Sequence, residues 1–377
     1  MVVEGCGHVG EGAGGGQRRP LVVSCGKGQL LAGDILFNNT NSAELVGKSA
    51  VVTAPMTAGF SNHLTRVRVD RSRVDPFWLS FWVRKLQASG YFTANATQCV
   101  SQAAYRTSDL GKLPIDLPSL AEQRAVVDLL SRAEGIVRLR RQAQQKAAEL
   151  IPAIFVDMFG DPTVNPKGWP ITRLGDLLSA PIRNGISPAR SGRVHGKVLT
   201  LSAITRGGFD ETSVKESTFA SPIASSDEVQ SVDFLVCRGN GNRMLVGAGC
   251  FPLRDMPGVA FPDTAIAVRP AASLLDRAYF SALWGTAFVR RQIDAIAKTT
   301  NGTFKINQSG LADVRVLLPE LERQSAFARH AEAVESIQSQ QALALLKAAA
   351  TFEALLARAF ASERAAAATH EAEEAVS

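Results

Sequence analysis

A stretch of this 377-residue chain returns about two hundred residues later, and that repetition restricts the possible folds more tightly than composition does. Pro118-Ser119-Leu120-Ala121-Glu122-Gln123 recurs as Pro319-Glu320-Leu321-Glu322-Arg323-Gln324, 201 positions on. The same shift aligns Leu110 with Leu311, Lys146 with Lys347, Ile151 with Phe352 and Phe159 with Phe360. Upstream, Gly33-Asp34-Ile35-Leu36 matches Val232-Asp233-Phe234-Leu235. Asn41 through Leu45-Val46-Gly47 matches Asn240 through Leu245-Val246-Gly247, with one residue inserted. So long a period excludes a solenoid, whose repeats run to roughly 20–50 residues. It predicts two copies of a whole domain, each followed by a helix.

Each copy reads alike. Short apolar runs punctuated by Gly, Asn and Pro predict strands at Val51-Val52, Leu64 to Val69, Val198 to Leu201, Phe234 to Val236 and Ala265 to Val268. A brief helical pattern follows, Pro76 to Leu86 in the first copy and Asp276 to Ile296 in the second. A short strand then ends in Leu-Pro and a long helical run begins, Leu120 to Phe159 and Leu321 to Phe360. The fold class is therefore α+β: two tandem mixed domains, each with its long helix.

The two runs carry coiled-coil seams. A seven-residue frame through the first collects Val126, Leu130, Ala133, Val137, Arg140, Gln144, Ala147, Ile151, Ile154 and Met158. The second collects Phe327, Ala331, Val334, Gln338, Gln341, Leu345, Ala348, Phe352, Leu355 and Ala359. The polar members fall in the middle of both, where they would fix register at a cost in stability. Two separate surface helices are the plainer alternative. Equal length and matching polar breaks favour helices packed on each other. Pro152 predicts a kink, because it removes a hydrogen bond and crowds the Ala148 carbonyl. Gly160-Asp161-Pro162 predicts the stop.

Composition narrows the class. Apolar residues are 46% and charged residues 20% of the chain, which suits a buried core. The 5 cysteines form no C-x-x-C pair, which argues against a disulfide framework or structural zinc and fits a reducing cytoplasm. No run approaches the ~20 apolar residues of a membrane helix. The Gly-rich residues 1–28 lack a signal-peptide pattern and, like the tail 364–377, read as disordered. The net charge of +6 is unevenly spread. Residues 21–117 and 162–318 are basic, residues 118–161 are neutral and residues 319–377 are acidic. Globular parts that meet a polyanion, with helices that meet protein, would leave this footprint.

No catalytic constellation emerges. Gly47-Lys48-Ser49 resembles the tail of a phosphate-binding loop, but the required earlier glycine is Ser42. The 5 histidines are scattered without metal-ligand spacing, so no metal site is expected. No nuclease carboxylate–lysine cluster and no N/D-P-P-Y/F tetrapeptide is present. Two repeated loops are instead rich in hydrogen-bonding groups. Asn38-Asn39-Thr40-Asn41 matches Arg238-Gly239-Asn240-Gly241-Asn242-Arg243. Thr97 to Gln102 matches Lys298-Thr299-Thr300-Asn301-Gly302-Thr303-Phe304-Lys305. Asn and Gln can pair with adenine, Arg with guanine, and Thr or Lys with phosphate. Turn formation alone would also account for the Asn and Gly residues. The candidate DNA-contacting set is Asn39, Asn41, Lys48, Arg183, Arg190, Arg193, Arg238, Asn240, Asn242, Arg243, Lys298, Thr300, Asn301 and Lys305. The helix-pairing set is Val126, Leu130, Val137, Ile151, Ile154, Phe327, Val334, Leu345, Phe352 and Leu355.

The order of these segments resembles a known family. Leu117-Pro118-Ser119-Leu120-Ala121-Glu122-Gln123-Arg124, the long helix, Met158-Phe159-Gly160-Asp161-Pro162 and Asn165-Pro166-Lys167-Gly168-Trp169 are similar to segments of the specificity subunit of type I restriction-modification systems. Gly33 to Asn38, Leu45 to Lys48 and Phe60 to Leu64 resemble its target-recognition domains. The resemblance implies a non-catalytic, cytoplasmic subunit that binds double-stranded DNA at a bipartite site. The paired helices, antiparallel, would set the spacing. Two methyltransferase subunits, and restriction subunits in systems that have them, would be partners. S-adenosylmethionine, ATP and Mg²⁺ would sit on those partners and none on this chain. The implied organisation is a first recognition domain at 29–117, a helix at 118–160, a second domain at 161–318 and a helix at 319–363. Against the second copy, whose domain starts near Trp169, the first lacks some thirty leading residues. A truncated remnant that scaffolds methyltransferase but reads one half-site is the alternative expectation.

Overall fold

The computed structural model describes residues 29–98, 101–189, 191–300 and 302–361, so the expectations for residues 1–28 and 364–377 lie outside the described residues. The chain divides into two compact units, residues 1–143 with 341–377, and residues 144–340. The division cuts both long helices near their middles rather than at the Leu-Pro junctions.

The first unit begins with β1 (Ile35–Asn38), β2 (Thr40–Asn41), β3 (Ser49–Val51) and β4 (Leu64–Val67). Then come α1 (Pro76–Ala88), α2 (Tyr91–Ala94), β5 (Thr97–Gln98), β6 (Ala103–Ala104), α3 (Thr107–Leu110) and the start of α4 (Leu120–Phe159). Two antiparallel sheets form, ordered β3-β1-β4 and β2-β6-β5. Strand β1 alternates: Ile35 and Phe37 are buried, Leu36 and Asn38 less so. That period of two puts one face on the core. Asp75 starts α1 by accepting the Phe77 and Trp78 N–H groups, with Pro76 in the first turn where a missing N–H costs nothing.

The second unit opens with β7 (Ile171–Arg173), β8 (Arg183–Asn184), β9 (Val194–Leu199), α5 (Ser202–Thr205), β10 (Val214–Phe219) and β11 (Glu228–Val229). It continues with β12 (Phe234–Cys237), β13 (Gly239–Asn240), β14 (Gly249–Cys250), β15 (Met256–Ala260) and β16 (Ala265–Val268). It ends with α6 (Arg277–Trp284), α7 (Ala287–Ile296), β17 (Lys298–Thr300), β18 (Thr303–Lys305), α8 (Gln308–Ala312), β19 (Arg315–Leu317) and α9 (Leu321–Ala359). Its sheets β14-β12-β16-β8 and β13-β18-β17 repeat those of the first unit strand for strand, with β8 added at one edge. The β10-β9-β15-β11 sheet and the β19-β7 pair have no counterpart among the described residues of the first unit. The helix expected over 276–296 is two helices, because α6 closes at Gly285 and Thr286 precedes a new start.

The duplication extends to single atoms. Gln123 is fully buried; its side chain accepts the Asp75 N–H at 2.8 Å and donates to the carbonyls of Arg73 and Pro118. Gln324 does the same for Asp276, Leu274 and Pro319. Buried Asp34 is held by Arg68 through two 2.6 Å hydrogen bonds. Its repeat, Asp233, is held by Arg269 and also by Arg183 of β8. Gly47 and Gly247 both have positive φ, +87° and +79°. A Cβ on either would meet Phe92 at 2.2 Å or Ile293 at 2.3 Å, which is why Leu-Val-Gly recurs.

The long helices pack together, each end in its own unit. In the first unit, Leu130 shares a core with Phe352, Leu356 and Phe360, and Val126, Ala133, Val137, Leu355 and Ala359 pack against it. In the second, Phe155 and Phe159 each lie 5.7 Å from Phe327, ring to ring, with Ala331 in the same core and Ile151, Ile154 and Met158 packed on it. Early α4 thus meets late α9 and late α4 meets early α9, the antiparallel arrangement. The polar seam residues face each other as well. Arg140 donates to Gln341 at 3.4 Å, and Gln338 donates to the Ala147 carbonyl at 2.8 Å. Helix α4 runs unbroken through Pro152. Gln338 reaches the carbonyl next to that of Ala148, whose helical donor Pro152 removes.

Candidate nucleic-acid interface

In each unit one residue links the two sheets that the repeat shares. In the first unit this is Asn39: its N–H donates to the His63 carbonyl at 3.0 Å and its carbonyl accepts the Tyr105 N–H at 2.8 Å. In the second it is Arg238: its N–H donates to Thr264 at 2.8 Å and its carbonyl accepts Ile306 at 2.9 Å. The backbone is fixed identically and the side chain differs. Asn39 Oδ1 and Arg238 Nε are both buried without a hydrogen-bond partner. The duplicated scaffold thus carries a different polar side chain at the same backbone position in each copy.

Around Arg238 the predicted residues divide into those that build the loop and those that stay available. Arg238 Nη1 donates to the Asp263 carbonyl at 3.1 Å. Asn240 Oδ1 accepts the Asn242 N–H, and Asn242 Oδ1 accepts the Met244 N–H, so both amides shape the turn. Arg243 donates to the Asp294 carbonyl at 3.1 Å and its guanidinium lies 5.8 Å from the Phe304 ring. Arg290 shares the Asp294 carboxylate, and its hydrogen bond holds that carboxyl below its ordinary pKa. Lys298 and Lys305 are exposed on β17 and β18. Thr300 closes β17, and Asn301 lies outside the described residues.

The remaining candidates scatter. Asn41 accepts the Ser42 N–H through its side chain at 2.8 Å, again a turn contact. Lys48 is exposed after Gly47. Arg183 is committed to buried Asp233, its guanidinium 5.9 Å from the Phe261 ring. Arg193 is exposed just before β9, and Arg190 lies outside the described residues. Of the helix-pairing set, Val334 and Leu345 stand apart from the two clusters: Val334 is 6% exposed and Leu345 half-buried. Sequence reasoning missed the Gln123 and Gln324 latches and the Asp34–Arg68 and Asp233–Arg269 pairs. All six residues obey the repeat, so matching polar residues inside it were the signal. Among the described residues no cluster of His, Cys, Asp and Glu could hold a metal ion, and no helix is long and apolar enough to cross a membrane.

Each of the two duplicated units pairs one half of α4 with the opposite half of α9 and carries a polar loop at its sheet junction. No family model matches the chain. It is 30% identical over 112 residues to a Methanocaldococcus jannaschii protein described as the type I restriction enzyme MjaX specificity subunit. That match spans 29% of this chain and 26% of the relative's length. The fold is similar to a chain solved in work on complex assembly and conformational transition of the type I restriction-modification system, with a TM-score of 0.57, 21% identity and coverage of 89% of this chain and 84% of that one. It is also similar to the S subunit of a type I system from M. genitalium, with a TM-score of 0.52 and 13% identity over 89% of this chain and 84% of that one. The chain therefore has the fold of type I specificity subunits, and it shares one segment with a protein described as such a subunit.

Proposed function

We propose that this chain is the DNA specificity subunit of a type I restriction-modification complex, non-catalytic itself. Each unit reads one half of a bipartite duplex site. The antiparallel helices hold the spacing between the halves and carry two methyltransferase subunits. Restriction subunits join where the system has them, and S-adenosylmethionine, ATP and Mg²⁺ belong to those partners.

The observation that carries this reading is the pair Asn39 and Arg238: one backbone geometry, two side-chain chemistries. The charge distribution supports it, since the globular segments are basic and the helices are not. The helices support a protein partner: Ile136, Leu139, Leu343 and Leu346 remain more than half exposed, at 52%, 61%, 53% and 68%. The test is to co-express the chain with its cognate methyltransferase subunits in a host lacking other modification and to map modified bases across the genome. Modification confined to two short specific sequences separated by a fixed non-specific gap is expected. Modification at a single contiguous sequence, or none from a well-formed complex, overturns the reading.

A further inference from the structure

In the second unit, Lys298 of β17 and Lys305 of β18 are paired directly across an antiparallel ladder. Like charges so placed repel and destabilise the ladder. The same unit shows the ordinary solution elsewhere: in the β9–β10 ladder Lys197 is opposite Glu216, their charges 3.6 Å apart. Neither Lys298 nor Lys305 forms an ion pair among the described residues, and both are exposed.

The sheet directs this pair outward. Cross-strand partners share a face and neighbours along a strand alternate. Phe304, between Thr303 and Lys305, packs against the hydrophobic core, so Lys298, Thr303 and Lys305 belong to the opposite, solvent face. Lys305 is also paired with Gly239 of β13. A Cβ on Gly239 would sit 3.1 Å from Lys305 Cγ, so the glycine leaves room for the lysine stem to lie across the sheet. The first unit repeats the sheet without the charge. There Thr97 is paired with Ala104, and Ala104 with Thr40, while core-facing Ala103 takes the place of Phe304.

We propose that the outward face of the β13-β18-β17 sheet is a phosphate platform on which Lys298 and Lys305 straddle the DNA backbone, and that the first unit has no equivalent. The inference rests on the DNA-reading function above. The platform positions the second unit on any duplex and carries no base information, so the two units grip DNA unequally although their scaffolds match. The mutual repulsion of the lysines is relieved when a phosphate comes between them.

The experiment measures binding of the full chain, in its complex with methyltransferase subunits, to a cognate and a scrambled duplex across a salt series. For Lys298→Ala with Lys305→Ala, affinity falls for both duplexes alike, and the slope of log Kobs against log salt becomes shallower by about 1.8, the value for two lost phosphate contacts. Thr97→Ala leaves the slope unchanged. Thr97→Lys with Ala104→Lys steepens it, which provides a gain-of-contact test that does not depend on loss of fold. An unchanged slope in the Lys298/Lys305 variant overturns the platform while leaving DNA reading intact. Loss confined to the cognate duplex also overturns it, since the lysines would then read bases. Failure of the unmodified complex to bind either duplex at low salt removes the functional reading itself.

Discussion

Gln123 and Gln324 show how much one side chain can organise. Each ties the start of a long helix to the N-terminus of a shorter one by three hydrogen bonds to backbone groups. Gln123→Leu keeps the volume and strands the backbone N–H and carbonyls that the amide satisfied. A loss of ~1–3 kcal/mol or more is expected in urea unfolding, and Gln324→Leu should cost a similar amount. A neutral effect would mean the helices dock without the latch. The Asp34–Arg68 pair adds a pH signature. Burial pushes the Asp34 carboxyl up, but hydrogen bonds from Arg68 and the Leu31 N–H, with the charges of Arg68 and Arg66, outweigh it and hold the group below its ordinary value. The folded state therefore releases this proton more readily than the unfolded chain, whose Asp titrates near ~3.9. The pair's contribution is complete above that pH and is lost as pH falls through the lower folded value. Arg68→Ala should cost about 3 kcal/mol near neutrality, because it leaves a buried carboxylate without its ion-pair partner. The gap between the melting curves of the original and the variant should narrow below about pH 4. A gap that widens on acidification contradicts this account.

At the scale of elements, the two helices are the duplicated feature with the clearest mechanical role. At ~1.5 Å per residue, the 40 residues of α4 extend for about 60 Å. Their seam is apolar towards both ends and polar at the centre, where Arg140 meets Gln341. Four residues make about one turn, so an insertion of four in each helix beside Arg140 and Gln341 keeps the apolar halves in register with their own partners. The modified bases in the two half-sites should then move apart, with both half-site sequences unchanged, as read by methylation mapping. An insertion in one helix alone should misalign the seam and lower the melting temperature. An unchanged gap with both helices lengthened would show that something else sets the spacing.

Across the whole molecule, duplication leaves a common frame and unequal trimmings. The second unit has a fourth strand, β8, a further four-stranded sheet and the β7–β19 pair. Its Asp233 takes two arginines, one of them from β8, where Asp34 takes Arg68. The helices meanwhile keep Leu139 and Leu346 in water, at 61% and 68% exposure. Leu139→Glu with Leu346→Glu should change the unfolding free energy of the chain by no more than about 0.5 kcal/mol, as exposed substitutions usually do. The same variant should recover less methyltransferase on co-purification. Full recovery would place the partner on another surface.

The repeat, the α+β class, the start of each long helix and the polar centre of the seam were all readable from residue order. Each depends on local pattern: a period near seven, Pro and Gly punctuation, and identity at a constant shift. Helix α4 occupies the predicted Leu120–Phe159, and α9 ends one residue short of Phe360. The binding loops were harder to resolve. Asn240 and Asn242 look like base-reading amides in sequence, yet their oxygens are taken up by backbone N–H groups two residues on. Arg183 looks like a free cation and is bound to Asp233, fifty residues away along the chain. Lys298 and Lys305 become a pair because a ladder brings them face to face. A side chain's chemical type is written in the sequence; whether it remains available depends on partners that distant segments supply, and those pairings exist only once the sheets have closed.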